Sequence, residues 1–170
     1  MVEGRDVVVR IPDVVLQALF QRPEQLAAAT ASGVIAADVK TLRIDGPAGE
    51  FRLQRDLDRW IAPDHGGVEV PRELVEQLLE TLTQVRATEV EMRPYPRDLE
   101  VAMVTMFGYA ATPMDTVRIA REPAEETGEG RWALENGDNV LRIFPPSLQL
   151  RLIPRDFGLQ ASAGAVSDPR

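Results

Sequence analysis

Apolar and polar side chains alternate along three consecutive stretches in the first half of the chain, and that period of two predicts a β-meander. Val39–Asp45 reads as the first strand, closed by the turn Gly46-Pro47-Ala48-Gly49. In Glu50–Arg55, Phe51 and Leu53 face one way while Arg52 and Gln54 face the other. Asp56-Leu57-Asp58 then turns the chain into Arg59-Trp60-Ile61, and Pro63-Asp64-His65-Gly66-Gly67 reads as a loop. Beyond it the period changes. Leu74, Val75, Leu78, Leu79, Leu82 and Val85 recur at helical spacing, with Pro71 as a first helical residue and Glu73 in the first turn, where its charge suits the helix dipole. The spacing predicts a helix over 71–86.

The remaining elements are shorter. Val90 and Met92 predict a strand, residues 98–106 a short helix ending at Gly108, and Met114–Arg121 a strand. Asn136-Gly137 signals a hairpin between 131–135 and 139–144, and Pro145-Pro146 opens a last helical turn through Leu152. Toward the N-terminus, 6–11 reads as a strand, the stretch after Pro12 as a helix, and 24–31 as a short helix. Strands in hairpins and meanders with single helices between them predict an α+β fold, an antiparallel β-meander sheet with helices packed on one face.

One segment is echoed. Residues 6–17 read DVVVRIPDVVLQ and residues 138–149 read DNVLRIFPPSLQ. Asp6/Asp138, Val8/Val140, Arg10/Arg142, Ile11/Ile143, Leu16/Leu148 and Gln17/Gln149 are identical. The expected organisation is therefore a slice through a tandem array. Residues 1–37 would hold the closing strand–helix of one repeat and 38–157 one full repeat, so that 1–157 is a single module. The tail 158–170 is too poor in apolar residues to pack and is expected to be disordered.

Composition narrows the function. A net charge of −8 argues against a nucleic-acid partner, which needs a basic footprint. No apolar run approaches the ~20 residues that span a bilayer, so direct membrane insertion of this stretch is not expected. The N-terminal residues carry no signal-peptide pattern. With no cysteine and one histidine, thiol chemistry, disulfides and transition-metal sites are not expected, and no cofactor is. Lys40 is the only lysine; the abundance of arginine reads as codon bias.

No candidate residue rises to a catalytic constellation. His65 sits in a Pro-Asp-His-Gly-Gly loop and reads as structural. Asp56 and Asp58 flank a turn without a third oxygen ligand in register, so calcium is not implied. Glu122, Glu125, Glu126 and Glu129 read as a solvated acidic loop over 122–130. There is no phosphate-binding glycine motif and no nucleophile elbow. An enzyme would need distant carboxylates, such as Asp56 with Glu89 or Glu91, to meet in one pocket. Four aromatics remain as a candidate interaction surface: Trp60, Phe107, Tyr109 and Trp132. Phe107-Gly108-Tyr109 with Pro113 forms a compact corner, read as a helix C-terminus needing a left-handed glycine.

Four segments fall in a familiar order: LRIDGPAGEFRLQRDLDRW, VPRELVEQLLETLTQVRA, FGYAATPMDTVRI and NGDNVLRIFPPSLQLRL. Over roughly residues 4–157 they resemble a bacterial domain-of-unknown-function family, numbered forty-three forty, found beside ABC-type transporters of the gliding-motility kind. The sequence departs from that family in three ways. Tyr109 stands where the family has leucine, the strand after Arg121 is replaced by the acidic loop, and the membrane anchor is missing. The resemblance implies a non-enzymatic, extracytoplasmic scaffold or accessory with protein partners in an ABC-type transport system. It assigns no catalytic residues. The alternative is a small-ligand or glycan-binding domain that uses the four aromatics.

Overall fold

The computed structural model describes residues 28–110, 112–123 and 130–159. The expected strand at 6–11, the helix after Pro12, most of 24–31, the first copy of the echo, and the tail from 160 onward lie outside the described residues. Among those described, nine strands form one antiparallel sheet. They are β1 (Thr41–Gly46), β2 (Gly49–Asp56), β3 (Arg59–Ala62), β4 (Val68–Val70), β5 (Glu89–Glu91), β6 (Glu100–Phe107), β7 (Pro113–Glu122), β8 (Arg131–Glu135) and β9 (Leu141–Phe144). Their order across the sheet is β4-β3-β2-β1-β6-β7-β8-β9-β5.

This sheet corrects the expected α+β class. One α-helix, α1 (Arg72–Thr83), is present among the described residues, and the rest of the covering is irregular chain and short 3₁₀ turns. Val75, Leu78, Leu79 and Leu82 of α1 pack against Leu42, Ile44, Phe51, Leu53, Trp60, Val104, Val117 and Phe144 on one face of the sheet. Val39, Leu152, Phe157 and Leu159 complete that core. Each such buried aliphatic or Phe side chain stabilises the fold by roughly 1.5–3 kcal/mol. The packing is close where segment 148–153 crosses the first hairpin: a Cβ on Gly46 would lie 2.6 Å from the carbonyl oxygen of Leu152.

Two expected helices are not formed. Residues 100–107 are the strand β6, paired on both sides by β1 and β7. Its even-numbered positions Ala102, Val104 and Met106 enter the core, but Thr105 on the other face is buried too, so the apolar pattern lacks clean alternation. β-branched Val101, Val104 and Thr105 favour the strand. After Pro145 the chain makes one turn, with the Leu148 amide donating to the Pro145 carbonyl at 3.0 Å, and then runs irregularly into a 3₁₀ turn at Pro154–Phe157. Between the loop 63–67 and α1 lies a short strand the pattern did not predict, β4.

The register shows two four-stranded meanders, β1–β4 and β6–β9, joined antiparallel through their first strands. Equivalent positions carry equivalent residues. Leu42 pairs with Leu53 and Ile44 with Phe51 in the first; Ala102 pairs with Ile119 and Val104 with Val117 in the second. Arg55 stands opposite Trp60 and Asp56 opposite Arg59; Arg121 stands opposite Trp132 and Glu122 opposite Arg131. Trp60 then pairs with Val70 and Trp132 with Phe144, each followed by a proline. The guanidinium of Arg55 lies 5.0 Å from the Trp60 ring, and that of Arg121 lies 4.4 Å from the Trp132 ring. The second copy of the echo supplies β9 of the second meander. Its recurring aspartate and arginine form a pair there: Arg142 Nη2 donates to Asp138 at 2.6 Å, and Arg142 Nε donates to the Ala28 carbonyl at 2.8 Å.

Candidate functional site

The face of the sheet opposite α1 is polar over the first meander. Pairing places Thr41 beside Gln54, Arg43 beside Arg52 and Asp45 beside Glu50 on that face, with Phe107 and Thr105 on the neighbouring β6. Where β6 ends, Gly108-Tyr109-Ala110 rises above the strands. These segments enclose an open groove of about 530 Å³, within the range of small-ligand sites. Lys40, Arg43, Arg52, Phe107 and Tyr109 supply most of its chemistry, Glu50 is its single carboxylate, and Arg55 borders it with its guanidinium turned to Trp60 on the other face.

Three cations, Lys40, Arg43 and Arg52, therefore converge in a chain whose net charge is −8. Arg52 is neutralised: it donates through Nη2 and Nε to Asp64 at 2.7 and 3.1 Å. The Arg52 hydrogen bond holds the Asp64 carboxyl below its ordinary value against partial burial, which pushes the other way. Lys40, Arg43 and Arg55 have no carboxylate within ion-pair distance among the described residues. They lie instead on aromatic rings: Lys40 Nζ is 4.7 Å from the Tyr109 ring, Arg43 is 5.8 Å from Phe107, and Arg55 is on Trp60. Cation–π contacts hold a cation in place without cancelling its charge. The groove thus presents oriented, uncompensated positive groups beside two rings.

Of the four candidate aromatics, the structure brings Phe107 and Tyr109 to this groove. Trp60 is 1 % exposed and belongs to the core on the other face. Trp132 is half-buried on that same face, its Nε1 donating to the Leu148 carbonyl at 3.0 Å. The Phe107–Pro113 corner is a β6–β7 connection rather than a helix end. A Cβ on Gly108 would lie 3.0 Å from the Met114 sulfur and 3.6 Å from the Asp38 carbonyl oxygen. Tyr109, at 92 % exposure, is the most solvent-accessible large hydrophobic side chain among the described residues.

The other candidates are dispersed. His65 meets the Phe51 ring edge-on at 6.4 Å. Asp56 accepts from Arg59 Nη2 at 2.9 Å beside the β2–β3 turn. Glu89 and Glu91 belong to β5 at the far edge of the sheet, so the pairing of Asp56 with either of them is not formed. Glu122 is not part of a solvated loop: it is 7 % exposed, ends β7, and accepts from Arg93 and Arg131 at 2.7 and 3.2 Å. Residues 124–129 of the acidic stretch lie outside the described residues. No group of three or more possible metal ligands occurs among the described residues, and none of their helices is long and apolar enough to cross a membrane.

Sequence reasoning treated the arginines as compositional and missed Arg43, Arg52 and Arg55. Part of the signal was present: the alternation in β2 already put Arg52 and Gln54 on the polar side. What it lacked was the β1–β2 register that brings Arg43 next to Arg52. No known family model matches this chain, and no curated protein and no solved structure is detectably similar to it.

Proposed function

We propose that this chain is a non-enzymatic binding module whose groove captures an anionic group carried by a ligand or partner. The observation that carries this reading is the convergence of Lys40 and Arg43, both without carboxylate partners among the described residues, beside Arg52 in a protein of net charge −8. Such a local positive field inside an otherwise negative surface favours anions at one place and repels them elsewhere. The lining offers cations, an amide, a hydroxyl and two rings with a single carboxylate, which suits recognition better than proton transfer. A place beside an ABC-type transporter outside the cytoplasmic membrane rests on the sequence resemblance alone.

Thermal unfolding at low salt with citrate or inorganic phosphate tests the reading, because a ligand that binds only the folded state raises Tm. The wild type is expected to gain a few degrees, and the Lys40→Glu/Arg43→Glu double variant to gain none. An equal rise in both would reflect general salting effects and would remove the groove from the account.

A further inference from the structure

The position equivalent to this groove in the second meander is already filled by the chain itself, and the filling identifies a chemistry that fits. By register, Arg118 stands where Arg52 stands and Met103 where Arg43 stands. Over Arg118 lies the connection between β5 and β6. The Tyr95 ring sits 4.3 Å from the Arg118 guanidinium, and Glu100 accepts from Arg118 Nε at 2.9 Å. Tyr95 and Leu99 then pack on Ala120, Ala133, Leu141 and Ile143. An irregular connection ending in a 3₁₀ turn at Arg97–Leu99 thus lays an aromatic ring on this arginine, and Glu100, the first residue of β6, supplies its carboxylate.

The first meander has the same arginine without that cover. Arg52 keeps Asp64 as its carboxylate, yet no Phe, Tyr or Trp ring stacks on it among the described residues. Its side chain is 52 % exposed, against 28 % for Arg118. Arg43 in place of Met103, together with Lys40, adds positive charge at this groove. We propose that the groove takes an acidic peptide bearing an aromatic residue, its ring laid over Arg52 as that of Tyr95 is laid over Arg118. The ring stacks on the guanidinium of Arg52, and carboxylates meet Arg43 and Lys40. This proposal rests on the reading of the groove as an anion-binding site, and it names the class of partner.

The test uses capped heptapeptides and chemical-shift mapping on the full chain at low salt. One peptide copies residues 94–100, PYPRDLE; a second, PYPEDLE, is more acidic; a third, PAPEDLE, lacks the ring. Citrate and an oligomer of galacturonic acid are run in parallel. PYPEDLE is expected to bind most tightly, with shifts confined to β1, β2 and Tyr109. Loss of the ring should weaken it about tenfold, the worth of one desolvated cation–π contact. Arg43→Glu should weaken PYPEDLE by at least about tenfold, while Arg155→Glu, an exposed charge reversal on the 3₁₀ turn, should leave it unchanged. If citrate perturbs the groove but the peptides do not, the anion site stands and the peptide assignment falls. Equal binding of PAPEDLE, tighter binding of the uronate oligomer, or shifts centred on β5 and β9 would also overturn it. Silence from every probe would remove both the peptide and the anion site.

Discussion

Arg55 on Trp60 and Arg121 on Trp132 are one contact made twice, in two meanders whose registers coincide. Their surroundings differ. Trp60 is sealed into the core, whereas Trp132 is half-buried and fixes its indole N–H on the Leu148 carbonyl. The acid beside each arginine differs as well. Asp56 is exposed and meets Arg59 alone, while Glu122 is buried between Arg93 and Arg131. On the opposite face the first meander is open and cationic, and the second is closed by Tyr95, Leu99 and Glu100. One architecture thus tolerates a filled polar face and an empty one, because the shared apolar face carries most of the folding energy. The empty face is where specificity has room to vary.

The comparison is sharpest at the tryptophans. Trp60→Ala should cost about 3–5 kcal/mol, since a fully buried indole leaves a cavity and strands the Arg55 guanidinium. Trp132→Ala should cost about half as much, its ring being partly solvated already. Urea unfolding of both variants measures the difference. Equal losses would mean that the two halves are not distinguished by burial in the way their exposures indicate.

The acids give the next largest contrast. Glu122→Ala leaves Arg93 and Arg131 without their shared carboxylate in a partly buried setting, and should cost about 3 kcal/mol. Asp56→Ala removes an exposed pair and should cost under about 1 kcal/mol. If the two variants unfold at the same denaturant concentration, the buried network does not tie β5, β7 and β8 together as its geometry suggests.

These contrasts also mark how far the sequence alone could be read. The first meander and α1 were legible because their faces differ: Phe51 and Leu53 against Arg52 and Gln54, and a leucine stripe against glutamates. β6 was not legible, because a strand at the centre of the sheet is buried on both faces and Ala102, Val104, Thr105 and Met106 read as a continuous run. The irregular chain after Pro145 was misread for a related reason. Leu148, Leu150 and Leu152 pack on the main core from irregular chain rather than from a helix. The groove depended on pairings between strands, which composition cannot show. One local signal could have pointed to the two meanders: Arg-Asp followed by Arg-Trp at 55–60, and Arg-Glu followed by Arg-Trp at 121–132.

Acid titration probes the pairs that stabilise each half. Burial pushes the Asp138 carboxyl up, but hydrogen bonds from Arg142 and the Val140 amide outweigh it and hold the group below its ordinary value. Asp64 is lowered by Arg52 in the first meander. A carboxyl depressed in the folded state contributes fully above its unfolded pKa, near ~3.9. That contribution disappears as pH falls through the lower folded value. Tm should therefore be flat near neutrality and fall below about pH 4. Asp138→Asn should flatten the acid limb more than Asp64→Asn, because Arg142 is 2 % exposed and cannot turn to water. The reverse ranking would place the acid-sensitive contact in the first meander instead.

The smallest expected effect concerns the cover of the second meander. The Tyr95 hydroxyl is buried with no hydrogen-bond partner among the described residues, and burial, with Glu100 nearby, pushes its pKa well above that of a free phenol. An unpaired buried hydroxyl destabilises the fold, so Tyr95→Phe should raise stability by about 0.5–1 kcal/mol. The ring would still stack on Arg118. A loss of stability would show that the hydroxyl has a partner, and that the Tyr95 pose owes something to hydrogen bonding as well as to stacking. A gain would mean that ring and carboxylate suffice to hold the β5–β6 connection on this arginine. That is the pair of groups asked of a peptide on Arg52, so the internal contact would calibrate the external one.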